Sequence, residues 1–386
     1  MRRIRLGDLC SKIGSGATPR GGKSVYVENG PDFVRSQNVL DLSIETDGMA
    51  HLDEESARQL DGVSVASGDV LLNITGESVG RVSVWRRNVE ARVSQHVAIL
   101  RPDTKVTVPE YLQYALYDPA VKSRLHVLSS AGASRRALTK SMLEQFEIAI
   151  PGASEQQAIV DVLGALGDKI AVNREVVDAS DSLRRELWCA TAEGAPSVAL
   201  SSLAQFVNGG AYTKDASGTG RVVIRIAELN SGIGASTIYN ELDVPETQIA
   251  RPGDLLMAWS GSLTAARWYR DDAIVNQHIF KVIPKAGNSL WSVACALETK
   301  LEAFRAIAQG KATTMGHIKR GDLDAPVAWP QFDPTADKLG SALWERALSA
   351  EQENLRLAAT RDELLPLLMS GKITVKDAEK TVEEVV

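Results

Sequence analysis

The chain lacks most of the marks by which an enzyme can be read from its sequence. Its three cysteines, Cys10, Cys189 and Cys295, lie far apart. That rules out both zinc spacing and a disulfide framework, and it suits a reducing cytoplasm. The five histidines (His51, His96, His126, His278, His317) form no metal pattern. There is no G-x-x-x-x-G-K-[ST] phosphate loop and no G-x-G-x-x-G after a strand. The Asn-Pro-Pro-aromatic motif of an amino-methyltransferase is missing too. Pro102-Asp103-Thr104-Lys105 lacks the second carboxylate that a nuclease site needs. No apolar run is long enough to cross a bilayer. Met1 to Cys10 has basic residues but no apolar segment behind them, so no secretory signal is expected. These absences predict a non-membrane, non-catalytic chain that needs no cofactor or metal of its own.

Proline is absent from Glu155 to Ala192, and glycine occurs there only at 164 and 167. Ile159, Val162, Leu166, Ile170, Val177, Leu183 and Leu187 recur at steps of three and four or sums of these, the stripe of an amphipathic helix. Pro151 and Ser154 supply a strand stop and an N-cap. At 1.5 Å per residue such a helix is about 50 Å long. Thr335 to Ser370 reads the same way, with Leu339, Leu343 and Leu364 on its stripe. Two long single-striped helices can bury their stripes on each other or each on its own domain. The first arrangement packs Ile159, Val162 and Leu166 against Leu339, Leu343 and Leu364.

At 386 residues with net charge −6, the chain predicts more than one domain and gives no overall sign of nucleic-acid binding. The charge is uneven, however. Residues 1–150 and 196–332 each carry +1, whereas 151–195 and 333–386 each carry −4. The acid excess sits in the helical segments, so the globular parts are free to present a basic face.

The two halves match in short blocks. Leu6-Gly-Asp-Leu9 answers Leu200-Ser-Ser-Leu203, and Phe33-Val-Arg35 answers Val223-Ile-Arg225. Gly68-Asp-Val-Leu-Leu72 answers Gly253-Asp-Leu-Leu-Met257. Val93-Ser-Gln-His96 answers Val275-Asn-Gln-His278, and Leu183-Arg-Arg-Glu-Leu187 answers Thr360-Arg-Asp-Glu-Leu364. The offset falls steadily through 194, 190, 185, 182 and 177. Chance matches would scatter; a steady drift marks an internal duplication with small deletions in the second copy. Each globular half reads as mixed α/β. The expected segments are a domain over 1–151, a helix over 152–195, a second domain over 196–332, a helix over 333–371 and a charged, weakly anchored tail over 372–386. Residues 5–13, 109–125 and 290–307 are expected as single helices.

The candidate binding residues lie in loops. Arg20 and Lys23 stand in a Gly/Ser/Thr-rich loop. Arg35-Ser36-Gln37-Asn38 follows a strand, and Gln or Asn can pair with adenine as Arg does with guanine. Thr75, Arg81, Gln95 and His96 flank two further strands. Ser134, Arg135 and Arg136 offer close approach and phosphate-seeking cations. The second-half counterparts are Tyr212, Lys214, Arg225, Ser260, Arg267, Gln277, His278, Lys311, Thr313 and Thr314. His96 and His278 suit either a phosphate or base contact or a fold-keeping hydrogen bond at a strand entry.

In their order, the L-x-x-L starts, the G-D-[VL]-L-[LM] and [SN]-Q-H blocks and the two long helices resemble the specificity subunit of type I restriction–modification systems over essentially the whole chain. Each of those helices follows a proline (Pro151, Pro334). The resemblance implies an α/β (α+β) fold of two target-recognition domains separated by two antiparallel helices forming a coiled coil, with pseudo-two-fold symmetry. It implies a partner set of double-stranded DNA and two modification methyltransferase subunits that carry S-adenosylmethionine and methylate adenine. A restriction subunit using ATP and Mg²⁺ is an optional further partner. Two other readings share features with this one. One is the recognition subunit of a related enzyme that cuts on both sides of its site; the other is a duplicated protein-binding scaffold that never touches DNA. If the half-sites differ, residues common to both halves (Arg35/Arg225, Gln95/Gln277, His96/His278) are expected to be scaffold or backbone contacts. Discrimination then falls where the halves diverge: 20–24 against 211–217, 36–38 against 226–228, and 134–136 against 313–315.

Overall fold

In a computed structural model, residues 1–130, 136–214, 216–310 and 316–385 are described. The chain divides into two compact units, Met1–Asp168 with Leu357–Val386, and Lys169–Arg356. The division falls inside the two long helices, Ala153–Ala192 and Pro334–Ser370. Each unit therefore holds one globular region together with parts of both helices.

In the first unit, a four-stranded antiparallel sheet runs in the order Cys10–Ser15, Val97–Pro102, Val70–Asn73, Val82–Val84. Val70–Asn73 is buried along its whole length, as its unbroken apolar run requires. Beside it, Tyr26–Val34 pairs antiparallel with Ala50–Leu52 and parallel with Ala91–Val93. Val34, Leu71, Trp85, Val93 and Ile99 form the core between these sheets. The second unit repeats the plan, with Ala204–Asn208, Ile279–Pro284, Leu255–Ala258 and Thr264–Arg267 in one sheet and a parallel pair, Arg221–Ile224 with Ala273–Val275, in the other. Val34 faces Val93, and Ile224 faces Val275. The duplicated blocks thus occupy equivalent registers.

Several local expectations change. Residues 5–13 hold a single helical turn, Leu6–Leu9, between the strands Arg2–Arg5 and Cys10–Ser15. The expected helix over 109–125 is two helices, Pro109–Tyr117 and Pro119–Ser130. Pro119 pushes Asp118 out of the helical region, and the Asp118 carboxylate then accepts from the backbone N–H groups of Ala120 and Val121. Residues 290–307 likewise divide into Leu290–Glu298 and Leu301–Gln309. The tail is a capped helix, Val375–Glu383, with Ala378 and Val382 buried four residues apart on one face. Its Thr374 and Asp377 cap each other's backbone N–H groups, so this segment is anchored rather than loose.

The helical stripes also differ from expectation. In the first unit Ile159, Val162, Leu166 and Leu364 are buried. In the second, Leu183 and Leu339 are 53% and 52% exposed, and Leu343 is half-buried. The buried face there runs through Gly340, Trp344, Ala347 and Leu348 on one helix and Asn173, Ser180, Arg184 and Trp188 on the other. Gly340 sets this rotation, because a Cβ on it would lie 2.2 Å from the Trp291 ring. The helix must turn its glycine to that ring, and Leu339, one residue away, is carried about 100° around the axis into solvent. The helices run antiparallel in this unit: the Asn173 amide donates to Glu353 at 2.8 Å, and the Arg184 guanidinium lies 5.5 Å from the Trp344 ring centroid.

Arg267 belongs to this packing and not to an exposed loop. It is 8% exposed, lies 4.5 Å over Trp344, and donates to Glu351 at 2.7 Å and Asp181 at 3.3 Å. Burial pushes the Glu351 carboxyl up, and Arg267 opposes that shift. The strand register explains the difference from the sequence pairing. Val70 faces Val84 while Leu255 faces Arg267, so Arg267 is the counterpart of Val84 and Thr264 that of Arg81.

Two substitutions and one control test these contacts. Gly340→Ala overpacks Trp291 and is expected to cost about 1–3 kcal/mol, whereas Gly164→Ala meets nothing within 4 Å and should stabilise slightly. Chemical denaturation decides this, and equal midpoints for Gly340→Ala and wild type would refute the stated cause of the helix rotation. Arg267→Ala leaves two half-buried carboxylates, Asp181 and Glu351, without their shared buried partner and is expected to cost up to about 3–5 kcal/mol. A loss below about 1 kcal/mol would show that the arginine is not structural.

Candidate nucleic-acid interface

The strand Val70–Asn73 ends beside the entry to Val97–Pro102, and backbone pairing carries the chain onward from there. Ile74 N–H donates to the His96 carbonyl at 3.0 Å, and Leu138 N–H donates to the Ile74 carbonyl at 2.9 Å. Gly76 N–H donates to the Arg136 carbonyl at 3.1 Å. Thr75 forms an isolated bridge with Ala137. Side chains complete the frame. His96 Nδ1 is 2.7 Å from Thr75 Oγ1, and Gln95 Nε2 is 3.4 Å from His96 Nε2. With the Gln95 amide as donor, the imidazole proton sits on Nδ1 and is given to the Thr75 oxygen. The Thr75 hydroxyl hydrogen is then left for an outside acceptor such as a phosphate oxygen.

The second unit builds the same frame. Trp259 N–H donates to the His278 carbonyl at 3.2 Å, Ile318 N–H to the Trp259 carbonyl at 3.1 Å, and Gly261 N–H to the Gly316 carbonyl at 3.0 Å. Ser260 bridges His317. His278 Nδ1 is 3.2 Å from Ser260 Oγ, and Gln277 Nε2 is 3.4 Å from His278 Nε2. A histidine between a hydroxyl and a glutamine is thus held at one place in both copies.

In the first unit, Ser36, Gln37, Thr75, Glu77, Arg81 and His96 line an open hollow of about 450 Å³. Ser36 and Gln37 come from another strand end. The buried Asn73 amide holds them there by donating to the Ser36 and Val39 carbonyls. Arg136 reaches Glu77 at 3.7 Å. Five of the residues singled out by sequence, Ser36, Gln37, Thr75, Arg81 and His96, therefore meet at one surface, with Gln95 adjoining.

Other sequence candidates are placed elsewhere. Asn38 is 1% exposed; its side chain accepts from the Arg35 backbone N–H at 3.0 Å and donates to the Glu45 carbonyl, so it cannot reach a base. Glu228 takes the same cap position against Arg225 N–H at 3.0 Å. The Arg35 guanidinium holds the Gly48 carbonyl at 3.2 Å, and that of Arg225 holds Ser236 at 2.7 Å. Both are loop-holding scaffold residues. Arg20 and Lys214 are exposed on turns and Lys23 on the short 3-10 helix Gly22–Val25, all outside the hollow. Tyr212 is half-buried, with its hydroxyl on Gln248. Ser134, Arg135, Lys311, Thr313 and Thr314 lie outside the described residues.

Two residues at this surface were not anticipated. Trp259 stands where the first unit has Ile74; its indole N–H donates to Asn208 at 2.9 Å, and its ring lies 5.3 Å from that of His278. Asn230 is exposed and donates to Ser262 at 2.6 Å. Pairing Trp259 with Ile74 in the repeat would have revealed the first difference. Asn230 carries no comparable signal, because only folding brings its helix, Ile226–Ser231, to the loop. Among the described residues, no group of three or more His, Cys, Asp or Glu side chains could hold a metal ion. Among the same residues, no helix is long and apolar enough to cross a membrane.

Residues 2–178 match the family described as the type I restriction modification DNA specificity domain. A stretch of 134 residues, 35% of this chain, is 25% identical to the type I restriction enzyme EcoBI specificity subunit of Escherichia coli. Another of 175 residues, 44% of this chain, is 20% identical to the putative type I restriction enzyme MjaX specificity subunit of Methanocaldococcus jannaschii. These matches span 28% and 40% of the respective relatives. In fold, the chain is similar to the S subunit of a type I restriction–modification system from M. genitalium, with a TM-score of 0.54 and 14% identity over 95% of both chains. The match to the type I restriction modification DNA specificity domain thus covers residues 2–178, and the duplicated plan and the two long helices agree with it.

Proposed function

We propose that this chain is the non-catalytic DNA-reading subunit of a type I restriction–modification complex, each unit contacting one half of a bipartite, gapped target. The observation that carries the reading is the same hydrogen-bonded frame built twice, with different exposed side chains around it. A repeated frame suits what every DNA site shares, its phosphate backbone; different side chains suit two different half-sites. The long helices set the gap between the half-sites and dock two copies of a methyltransferase subunit. Adenine methylation and S-adenosylmethionine belong to those partners, and ATP and Mg²⁺ to a restriction subunit where one joins. Such a complex works on cellular DNA in the cytoplasm. The near-neutral globular regions imply that the methyltransferase subunits supply part of the phosphate contacts.

Mapping methylated adenines in cells with and without the gene, after copurification with the methyltransferase, tests this reading. Loss of one asymmetric gapped motif is expected, and replacing residues 1–151 by another such domain should change one half of that motif. Binding should fall steeply as salt rises, because phosphate contacts release counterions. No altered motif and no bound methyltransferase would point to a scaffold instead.

A further inference from the structure

We propose that the two units read opposite classes of base pair at the same place in their frames: the first a G·C pair through Arg136 and Glu77, the second an A·T pair through Asn230. The inference rests on the DNA-reading function above and assigns its discriminating residues.

The backbone hydrogen bonds make the positions strictly comparable. Gly76 bonds to Arg136 as Gly261 bonds to Gly316, and Thr75 faces Ala137 as Ser260 faces His317. Glu77, Arg81 and Arg136 therefore correspond to Ser262, Thr264 and Gly316. Each of these three charged residues is replaced by a neutral one in the second unit. At 316 the neutral residue is enforced: a Cβ there would lie 2.7 Å from the Ala308 carbonyl oxygen, so no arginine fits without backbone movement.

The exchanged groups have opposite preferences for base edges. A guanidinium donates two parallel N–H bonds to guanine O6 and N7, and a carboxylate accepts from cytosine N4. Glu77 is 94% exposed and Arg136 47%, and their 3.7 Å contact is loose enough to open onto the two edges of one pair. On the second rim Asn230 is exposed and donates to Ser262. A carboxamide offers one donor and one acceptor, which match adenine N7 and N6. None of the three equivalent positions carries a cation, so the guanidinium fork of Arg136 has no counterpart at its own place in the second frame.

The test uses the assembled complex with its methyltransferase subunits and a panel of duplexes carrying every single base-pair change in the mapped motif. Glu77→Gln and Arg136→Gln should each reduce discrimination at one G·C pair of one half-site by about 5- to 150-fold and leave the other half unchanged. Asn230→Ala should do the same at an A·T pair of the other half. These side chains are exposed, and the unaffected half-site reports that the subunit is folded. Uniform weakening across the panel would make the arginine a phosphate contact and overturn the inference, as would relaxation in both halves. Wild-type complex with no sequence preference would instead remove the functional reading itself, and this assignment with it.

Discussion

Most of this structure depends on burying one face of each long helix. A forty-residue helix with polar residues on most of its surface draws little stability from helix propensity and must gain it by packing. The two units meet that requirement differently. In the first, aliphatic residues such as Leu163, Leu166, Leu357 and Leu365 are buried. In the second, Trp344 lies under two arginines, and Asp181, Glu298 and Glu351 neutralise them. A buried guanidinium needs both carboxylates and directional hydrogen bonds to be tolerated, so this packing specifies a single rotation of the helix more strictly than leucines would.

The same division between shared support and local difference recurs at the candidate interface. His96 and His278, each held between a hydroxyl and a glutamine, fix where the surrounding loops sit. Asn38 and Glu228 are chemically unlike, yet each caps an arginine backbone N–H at 3.0 Å. The fold can therefore exchange the side chains that meet a ligand while keeping the bonds that place them. Arg81 replaced by Thr264 is a change of that kind.

Much of the architecture was legible along the chain. The drifting offset revealed the duplication, and the unbroken apolar runs at 70–72 and 255–257 marked central strands. The loop residues Ser36, Gln37, Thr75, Arg81 and His96 were recognisable as polar groups beside strand ends. Helix rotation was less legible. Leu183 and Leu339 fit an apolar stripe by spacing, but spacing tolerates a shift of one residue, and nothing in the sequence weighs Gly340 against Trp291.

The order of elements, the internal repeat and the class of each segment follow from the chain alone, because they rest on periodicity and on proline and glycine placement, which are local properties. Which arginine is buried and which meets solvent was decided by folding. Arg267 and Arg81 follow equivalent strands and look alike in sequence, yet the strand register turns one inward onto Glu351 and leaves the other at the hollow. Register is a property of paired strands and Asn230 meets Ser262 only across a loop, so neither relation exists until distant segments come together.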